Sequence, residues 1–447
     1  MRRGQMRIPM ILAAIVGLAM LLAPYLPTPQ SNAASDDEYQ QMRLLTEVLE
    51  EIKQKYVEEK TSKDLIQRAI KGMVDNLDPH SSYMSPEEFK DLQIETKGSF
   101  YGVGIEITSK DGVLTVVSPI EDTPAYKAGV KAGDRIIKID GKLTKGMTTM
   151  DAVKSIRGAQ GSKVVLTVMR DDAPQLIDIA ITRDLIPLHS VRYNLLEDGY
   201  GYIRISNFQE TTTRDLIEAL QTLQSQKTPL RGLVLDLRND PGGLLQEAVT
   251  AADQFLSGGV IVSTKGRNKN QDMVFNATPT VTAGDYPIIV LINQGSASAS
   301  EILAGALQDH KRAMVVGSPS FGKGSVQTII PLGDNGALRL TTARYYTPNG
   351  RSIQAKGIEP DLVVPFDPPE EEAKDKPAAK DQSIREKDLT GAIAAEGDAA
   401  KADKKSDSKL YYAKDKLDKD NQLRRALDLL KAWQVFAPMS TKNTAAN

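Results

Sequence analysis

The chain has no cysteine, three histidines, one tryptophan and an aromatic share of only 5%. Each shortage closes a class of answers. Without cysteine no disulfide can contribute, so stability outside a reducing compartment has to come from packing. Without thiolates, and without histidines clustered among carboxylates at ligand spacing, no metal site is expected, and nothing in the chain calls for a cofactor. The charge balance is equally flat: 56 basic and 58 acidic residues leave a net charge of −2. A nucleic acid partner usually needs a basic excess on one face, and none is indicated.

What is present begins at the N-terminus. Arg2, Arg3 and Arg7 precede an apolar run from Ile8 to Ala23, then prolines and Ser31-Asn-Ala-Ala34. These are the parts of a secretory signal, here residues 1–34: a basic start, an apolar middle and a small-residue cleavage site. Export to the periplasm or the outer face of the cell membrane is expected whether the segment is removed or stays as a short anchor. The remaining length accommodates about three domains.

Residues 36–97 carry helical periodicity, with Leu44, Leu45, Val48, Leu49, Ile52 and Tyr56 on one stripe and Leu65, Ile66, Ala69, Ile70 and Met73 on another. Two such helices need either a partner surface or the chain's own core. From residue 187 to 366 strands at 201–205, 232–237, 288–292, 314–316 and 326–330 alternate with helices at 213–224, 244–256 and 298–309. That alternation predicts a largely parallel α/β core. Residues 367–409 are rich in Pro, Glu, Lys, Asp and Ala and read as a solvated, disordered linker. The last segment, 410–447, contains a helix at 421–436 with Leu423, Ala426, Leu427, Leu430 and Trp433 on its apolar side. It is expected to dock on the N-terminal helices or on a second subunit.

The chemistry concentrates in Asn293-Gln-Gly-Ser-Ala-Ser-Ala-Ser-Glu301 and Phe321-Gly-Lys-Gly-Ser-Val-Gln327. The first is a strand-to-helix turn full of hydroxyls. Free N–H groups at such a turn can bind a developing oxyanion, with Ala299 N–H as one donor, at about 3–4 kcal/mol per donor. Three serines compete for the role of nucleophile, and capping or small-residue packing is the plainer use of Ser296 and Ser300. The second segment offers a lysine as the base. Lysine acts as a base only when neutral, and its free pKa of about 10.4 must fall by desolvation. Phe321 and Val326 are apolar, Gly322 and Gly324 admit close backbone, and no acid lies between Ser318 and Ile330. Gln327 could orient the amine without adding charge. A Ser-His-Asp triad is poorly supplied: His80 lies in a Leu-Asp-Pro-His turn, His189 follows a proline between domains, and His310 would end the helix that Ser298 begins. At about 1.5 Å per residue His310 is some 18 Å from the serine and reads as a helix-terminal charge partner.

These two segments resemble the carboxyl-terminal processing (tail-specific) proteases, whose core is similar to those of crotonases and Clp-type proteases. The resemblance implies an α/β multidomain fold, with Ser298 as nucleophile, Lys323 as base, Gln327 beside it, and an oxyanion donor in the Asp236-Leu-Arg-Asn-Asp-Pro-Gly-Gly243 turn at Gly242 or Gly243. The glycines also simply make the turn. Gly102-Val-Gly-Ile105, followed by Ala132-Gly-Asp134 and Gly141, resembles a PDZ domain over residues 98–186. Such a domain takes an extended peptide as an added strand and its terminal carboxylate on loop N–H groups. Carried over, the loop is Tyr101, Gly102, Val103, Gly104 and Ile105, the flanking helix is 149–156, and Arg157 just beyond it could couple groove occupancy to the core. Its plainer use is as a helix C-terminal cation.

The expected function is therefore an exported serine endopeptidase that captures protein or peptide substrates by accessible C-termini. A homodimer or higher homo-oligomer is expected, with room for an adaptor or regulatory protein. Two rivals stand beside it: a PDZ adaptor on a dead core, and a hydrolase of non-peptide esters or lipids.

Overall fold

A computed structural model describes residues 36–110, 112–120, 122–171, 173–367, 385–389, 391–393, 417 and 419–444. The signal-like segment, most of the linker and residues 410–416 lie outside the described residues. The chain divides into two compact units, one ending at Ile70 and one running from Lys71.

The first unit holds helix α1 (Asp36–Lys55) and most of α2 (Ser62–Asp75). The apolar stripe of α1 is open: Leu44 is 53% exposed, and Leu45, Val48 and Ile52 are exposed with it. An amphipathic helix of this length keeps such a stripe for a surface to cover.

The second unit starts with β1 (Ser82–Met84), α3 (Pro86–Lys97) and β2 (Ser99–Gly102). Ser85 caps α3 through a reciprocal bond pair with Glu88, Pro86 opens it, and left-handed Gly98 closes it. A six-stranded antiparallel sheet follows: β3 (Ile105–Lys110), β4 (Val113–Pro119), the short helix α4 (Pro124–Lys127), β5 (Arg135–Ile139), β6 (Lys142–Leu143), helix α5 (Thr149–Ile156), β7 (Lys163–Met169) and β8 (Ile177–Thr182). It encloses its own core of Val103, Leu114, Val116, Ile136, Leu166 and Ile181. An ion pair between Asp134 and Arg170, at 2.7 and 2.8 Å, fastens the Ala-Gly-Asp turn. Gly104 has φ +80°, and a Cβ there would stand 2.3 Å from the Cβ of Thr123, so only glycine fits.

Strand β9 (Asp184–Pro187) returns the chain to β2, and the α/β core then runs β10 (Val191–Glu197), β11 (Tyr200–Ile205), α6 (Thr212–Gln224), β12 (Gly232–Asp236), α7 (Leu245–Asp253), β13 (Val260–Gly266), β14 (Met273–Asn276), β15 (Ile288–Ile292), α8 (Ala299–Asp309), β16 (Met314–Gly317), β17 (Ser325–Pro331), β18 (Ala337–Tyr346) and β19 (Leu362–Val363). The central sheet has the order β10-β11-β12-β15-β16-β19 and is parallel except for the β10–β11 pair, as the alternation predicts. Its inner strands β12 and β15 are buried on both sides because both faces are covered there. Leu233, Leu235, Ile288, Val290 and Ile292 face α6, α7 and α8. Val234, Ile289 and Leu291 face the last helix, α9 (Asn421–Thr444).

That docking corrects the expectation for the C-terminal segment. Leu423, Ala426, Leu427 and Leu430 bury against the chain's own central sheet, while Trp433 stays 58% exposed. Arg238 anchors the start of the helix, bonding Asp236 at 2.6 and 2.9 Å, Asp420 at 2.8 and 3.1 Å and Gln422 at 3.0 Å. The linker reading also needs correction at residues 385–389 and 391–393. Glu386 within them is fully buried in a short helical turn.

Candidate active site

Strands β12 and β15 are parallel neighbours, and each ends in a turn that starts a helix. The two turns interlock, with Ala297 N–H donating to Asp240 O at 2.9 Å and the Ser300 hydroxyl to the same oxygen at 3.0 Å. The three candidate serines separate by their contacts. Ser296 Oγ donates to Leu237 O at 2.7 Å and accepts from Asn293 N at 3.0 Å, and Ser300 Oγ also reaches Ala297 O at 2.8 Å. Both are fully buried structural hydroxyls. Ser298 is different: its Oγ hydrogen-bonds the hydroxyl of Tyr345, at 2.8 Å, and the residue keeps 9% exposure.

Ser298 also carries the strain of the turn. Its φ of 57° and ψ of −114° lie in a region that suits glycine and costs a side-chain residue on the order of 1–3 kcal/mol. Glu301 helps to hold it there. That fully buried carboxylate accepts Ser298 N at 2.7 Å and Lys323 N at 2.9 Å on one oxygen, and Gly322 N at 2.8 Å together with the Ser320 hydroxyl on the other. Phe321 N–H adds a bond to Ser296 O at 3.0 Å. The serine turn and the lysine loop are thus tied to one side chain. Burial pushes the Glu301 pKa up to about 7 despite these four donors.

Lys323 is desolvated, but acids distant in sequence act on it although none lies between Ser318 and Ile330. Burial pushes its ammonium below the usual lysine value, while Glu386 opposes that shift more than Glu301 or Asp78 does, and Arg339 adds to it. No hydrogen bond joins Lys323 Nζ to Ser298 Oγ in this structure. Gln327 does not reach the amine either. A bulge between Val326 and Gln327 interrupts the ladder, and the Gln327 amide bonds Ser325 Oγ at 2.9 Å and Thr341 Oγ1 at 3.4 Å.

The two candidate glycines separate as well. Gly242 N–H is taken by Asp240 Oδ1 at 2.8 Å, whereas Gly243 N–H and Ala299 N–H make no hydrogen bond among the described residues. Both glycines have positive φ, 96° and 147°. A Cβ on Gly242 would lie 2.8 Å from Ala299 N, which puts the glycine turn directly against the serine turn. Burial raises the Asp240 carboxyl well above its usual range.

In the smaller antiparallel domain the segment Tyr101 to Ile105 joins β2 to β3, and Tyr101 O accepts Gly158 N just past the end of α5. Arg157 is the C-cap of α5. It stacks on the Phe100 ring at 4.5 Å and lies 3.8 Å from Asp91 of α3. Among the described residues no hydrogen bond, ion pair or ring contact joins its side chain to residues 199–364. Four residues escaped the motif reading. Tyr345, Glu301, His80 and Glu386 reach the site from β18, from α8, from a turn and from the linker, and only Glu301 lies within a motif. His80, set aside as a triad member, instead bonds Glu386 at 2.7 Å. His310 Nε2 meets Val260 O at 2.7 Å, away from Ser298.

Three family models match: "Peptidase family S41" over residues 199–364, "PDZ domain" over 102–181, and "Activating protease CtpB N-terminal domain" over 24–88. A carboxy-terminal-processing protease of Bartonella bacilliformis is 49% identical over 396 residues, covering 88% of this chain and 89% of that one. The carboxy-terminal processing protease CtpA of Bacillus subtilis is 38% identical over 325 residues, covering 71% and 68%. A solved photosystem II D1 C-terminal processing protease aligns at 30% identity with a TM-score of 0.42, covering 73% of this chain and 93% of that one. The chain belongs to the PDZ-containing carboxy-terminal-processing proteases, and it is a serine-type peptidase.

Proposed function

We propose that this chain is an exported endopeptidase that takes hold of C-terminal tails through its PDZ domain and cuts peptide bonds with a Ser298-Lys323 dyad. The observation that carries the reading is the convergence of Ser298 N and Lys323 N on one oxygen of Glu301, which keeps the weakly engaged serine beside the desolvated lysine. In the reaction Ser298 Oγ bonds to the scissile carbonyl carbon as its proton passes to neutral Lys323 Nζ. The carbonyl oxygen takes up the negative charge and is received by Ala299 N–H and Gly243 N–H. Collapse breaks the C–N bond, and the departing amine takes the proton from Lys323. Water then gives a proton to the same lysine as its oxygen bonds to the acyl carbon, the ester C–Oγ bond breaks, and the proton returns from Lys323 to Ser298 Oγ.

The Ser298–Tyr345 bond belongs, in this reading, to a resting arrangement that must open before Oγ can face Lys323. Groove occupancy is the signal. Arg157 touches α3, α3 follows β1, and β1 pairs with β18, with Ser82 opposite Arg339 and Met84 opposite Ala337. Since β18 also carries Tyr345, a continuous chain of contacts leads from α5 to the nucleophile. The open stripe on α1 supports self-association into a homodimer or larger assembly, which sedimentation of a Val48→Glu variant would test.

A peptide-release assay on an unfolded substrate with a free apolar C-terminus tests the whole reading. Ser298→Ala should be inactive, Ser296→Ala and Ser300→Ala active where they fold, and amidation of the substrate's C-terminus should slow the wild type. Full activity in purified Ser298→Ala would reject it. Cleavage of simple esters but not peptides would favour the ester-hydrolase rival.

A further inference from the structure

We propose that the linker segment around Glu386 is a built-in brake, its carboxylate placed beside the Lys323 loop so as to favour the charged, non-basic form of that amine. The inference deepens the dyad reading and rests on Lys323 being the base. Glu386 is fully buried although it comes from a stretch whose composition is that of a solvated linker. Its carboxylate accepts from His80 Nε2 at 2.7 and 2.8 Å and from Gln354 Nε2 at 2.9 Å. Its own N–H donates to Phe321 O at 3.1 Å, and Gln354 Oε1 accepts Gly324 N at 3.0 Å. The segment therefore grips the lysine loop on both sides of Lys323. A second bond, from Gln354 Nε2 to Ile393 O at 3.0 Å, holds the far end of the same segment.

The grip is not what shapes the loop. Phe321 N–H bonds Ser296 O, Gly322 and Lys323 N–H bond Glu301, Gly322 O accepts Ala355 N at 2.8 Å, and Gly324 O accepts Tyr345 N at 2.9 Å. What Glu386 adds to a loop already fixed is charge. Three acids and one cation act on Lys323: Glu386, Glu301, Asp78 and Arg339. Glu301 is occupied by four donors, and Asp78 by His80 N, Ser81 and Thr341. The titratable partner that Glu386 bonds is His80, and among the acids that favour the Lys323 ammonium Glu386 acts more strongly than Glu301 or Asp78. A carboxylate bonded through Gln354 to the loop that carries a desolvated amine stabilises the protonated form of that amine, and a protonated lysine cannot accept the Ser298 proton.

The test is the pH dependence of turnover on a tailed peptide, using the full chain. Glu386→Gln keeps the acceptor for Gln354 and removes the charge, and Glu386→Met keeps the volume without either. In both variants the rising limb should move to lower pH with the alkaline plateau retained, raising turnover at neutral pH by about tenfold per unit moved. A limb that stays or moves to higher pH, or a lowered plateau in a folded variant, overturns the brake. If one variant fails to fold, the other decides. If neither folds, Glu386 is a structural residue and the proposal is wrong. Lys323→Ala in the same assay separates the two layers: activity there removes the dyad itself, whereas an inactive Lys323→Ala with an unmoved Glu386→Gln limb removes only the brake.

Discussion

The turns after β12 and β15 solve the same problem with opposite means. Both carry the chain from a buried parallel strand into a helix, and both need positive φ. After β12 that need falls on Asn239, at φ 56° in a region that asparagine tolerates, and on Gly242 and Gly243, which have no Cβ to strain and no room for one: at Gly243 it would sit 2.0 Å from Phe208 O. After β15 it falls on Ser298, which has a Cβ and keeps it. The difference teaches where a side chain is needed at a turn. Glycine relieves strain where only backbone N–H groups are used, and a strained serine is retained where a hydroxyl has to be presented, with Glu301 and the Asp240 carbonyl holding the turn in place.

The largest effect should come from the residue the serine turn serves. Lys323→Arg is expected to be as inactive as Lys323→Ala, with turnover lower by on the order of 10³-fold or more, because a guanidinium cannot shed its proton. In the wild type the sign follows from the lowered lysine pKa: the base is lost as pH falls through that value, so turnover rises with pH along that limb. Turnover by Lys323→Arg, measured by peptide release, would make the lysine structural and leave the serine's strain unexplained.

Gly243→Ala tests the other turn. The new Cβ meets backbone and not a flexible side chain, so the turn must shift, at a cost of roughly 2 kcal/mol or more in denaturant unfolding. A displaced donor should lower turnover by on the order of 10²-fold. Unchanged turnover in a folded Gly243→Ala protein would remove that N–H from the oxyanion site. Smaller still is the strain itself. Ser298→Gly should be more stable than Ser298→Ala by about 1 kcal/mol, both being inactive, since only glycine relaxes at φ 57°. The reverse order of stability would show that the turn is not strained.

Legibility in the sequence followed the range of the interactions. The strand at Ile288–Ile292 could be read residue for residue, because a continuous apolar run is a local signal, whereas the bounds of the helix at Thr149–Ile156 came with the resemblance to a PDZ domain. The serine and lysine segments were legible as motifs. Their joint anchor on Glu301 was visible only as the end of one motif, since its partners at Gly322 and Lys323 lie 21 and 22 residues on. Glu386 was hidden altogether: its bond to His80 spans 306 positions, and its composition context argues for solvent. The face that α9 covers was missed because an apolar stripe on a helix says that it docks, not on what. Tyr345 reads as one more residue of a β-strand.

The last test asks whether the serine turn is switchable while the glycine turn is fixed. Arg157 lies over Phe100 at 4.5 Å and 3.8 Å from Asp91, both contacts partly exposed and each worth about 0.5–1 kcal/mol or less. If Arg157 only completes the end of α5, its loss should lower stability by a few tenths of a kcal/mol and leave turnover alone. If it carries the groove signal through α3 and β1 to β18, Arg157→Ala should lower turnover of a tailed substrate by about three- to tenfold, matching a coupling free energy near 1 kcal/mol. Peptide affinity of the PDZ groove should change little, because Arg157 lies beyond the helix that flanks it. The untailed substrate supplies the control, since it never engages the groove and should be cut at the same slow rate by both proteins. Equal rates for wild type and Arg157→Ala on tailed and untailed substrates alike would leave Arg157 as a helix-terminal cation, and the Ser298–Tyr345 bond would need another trigger.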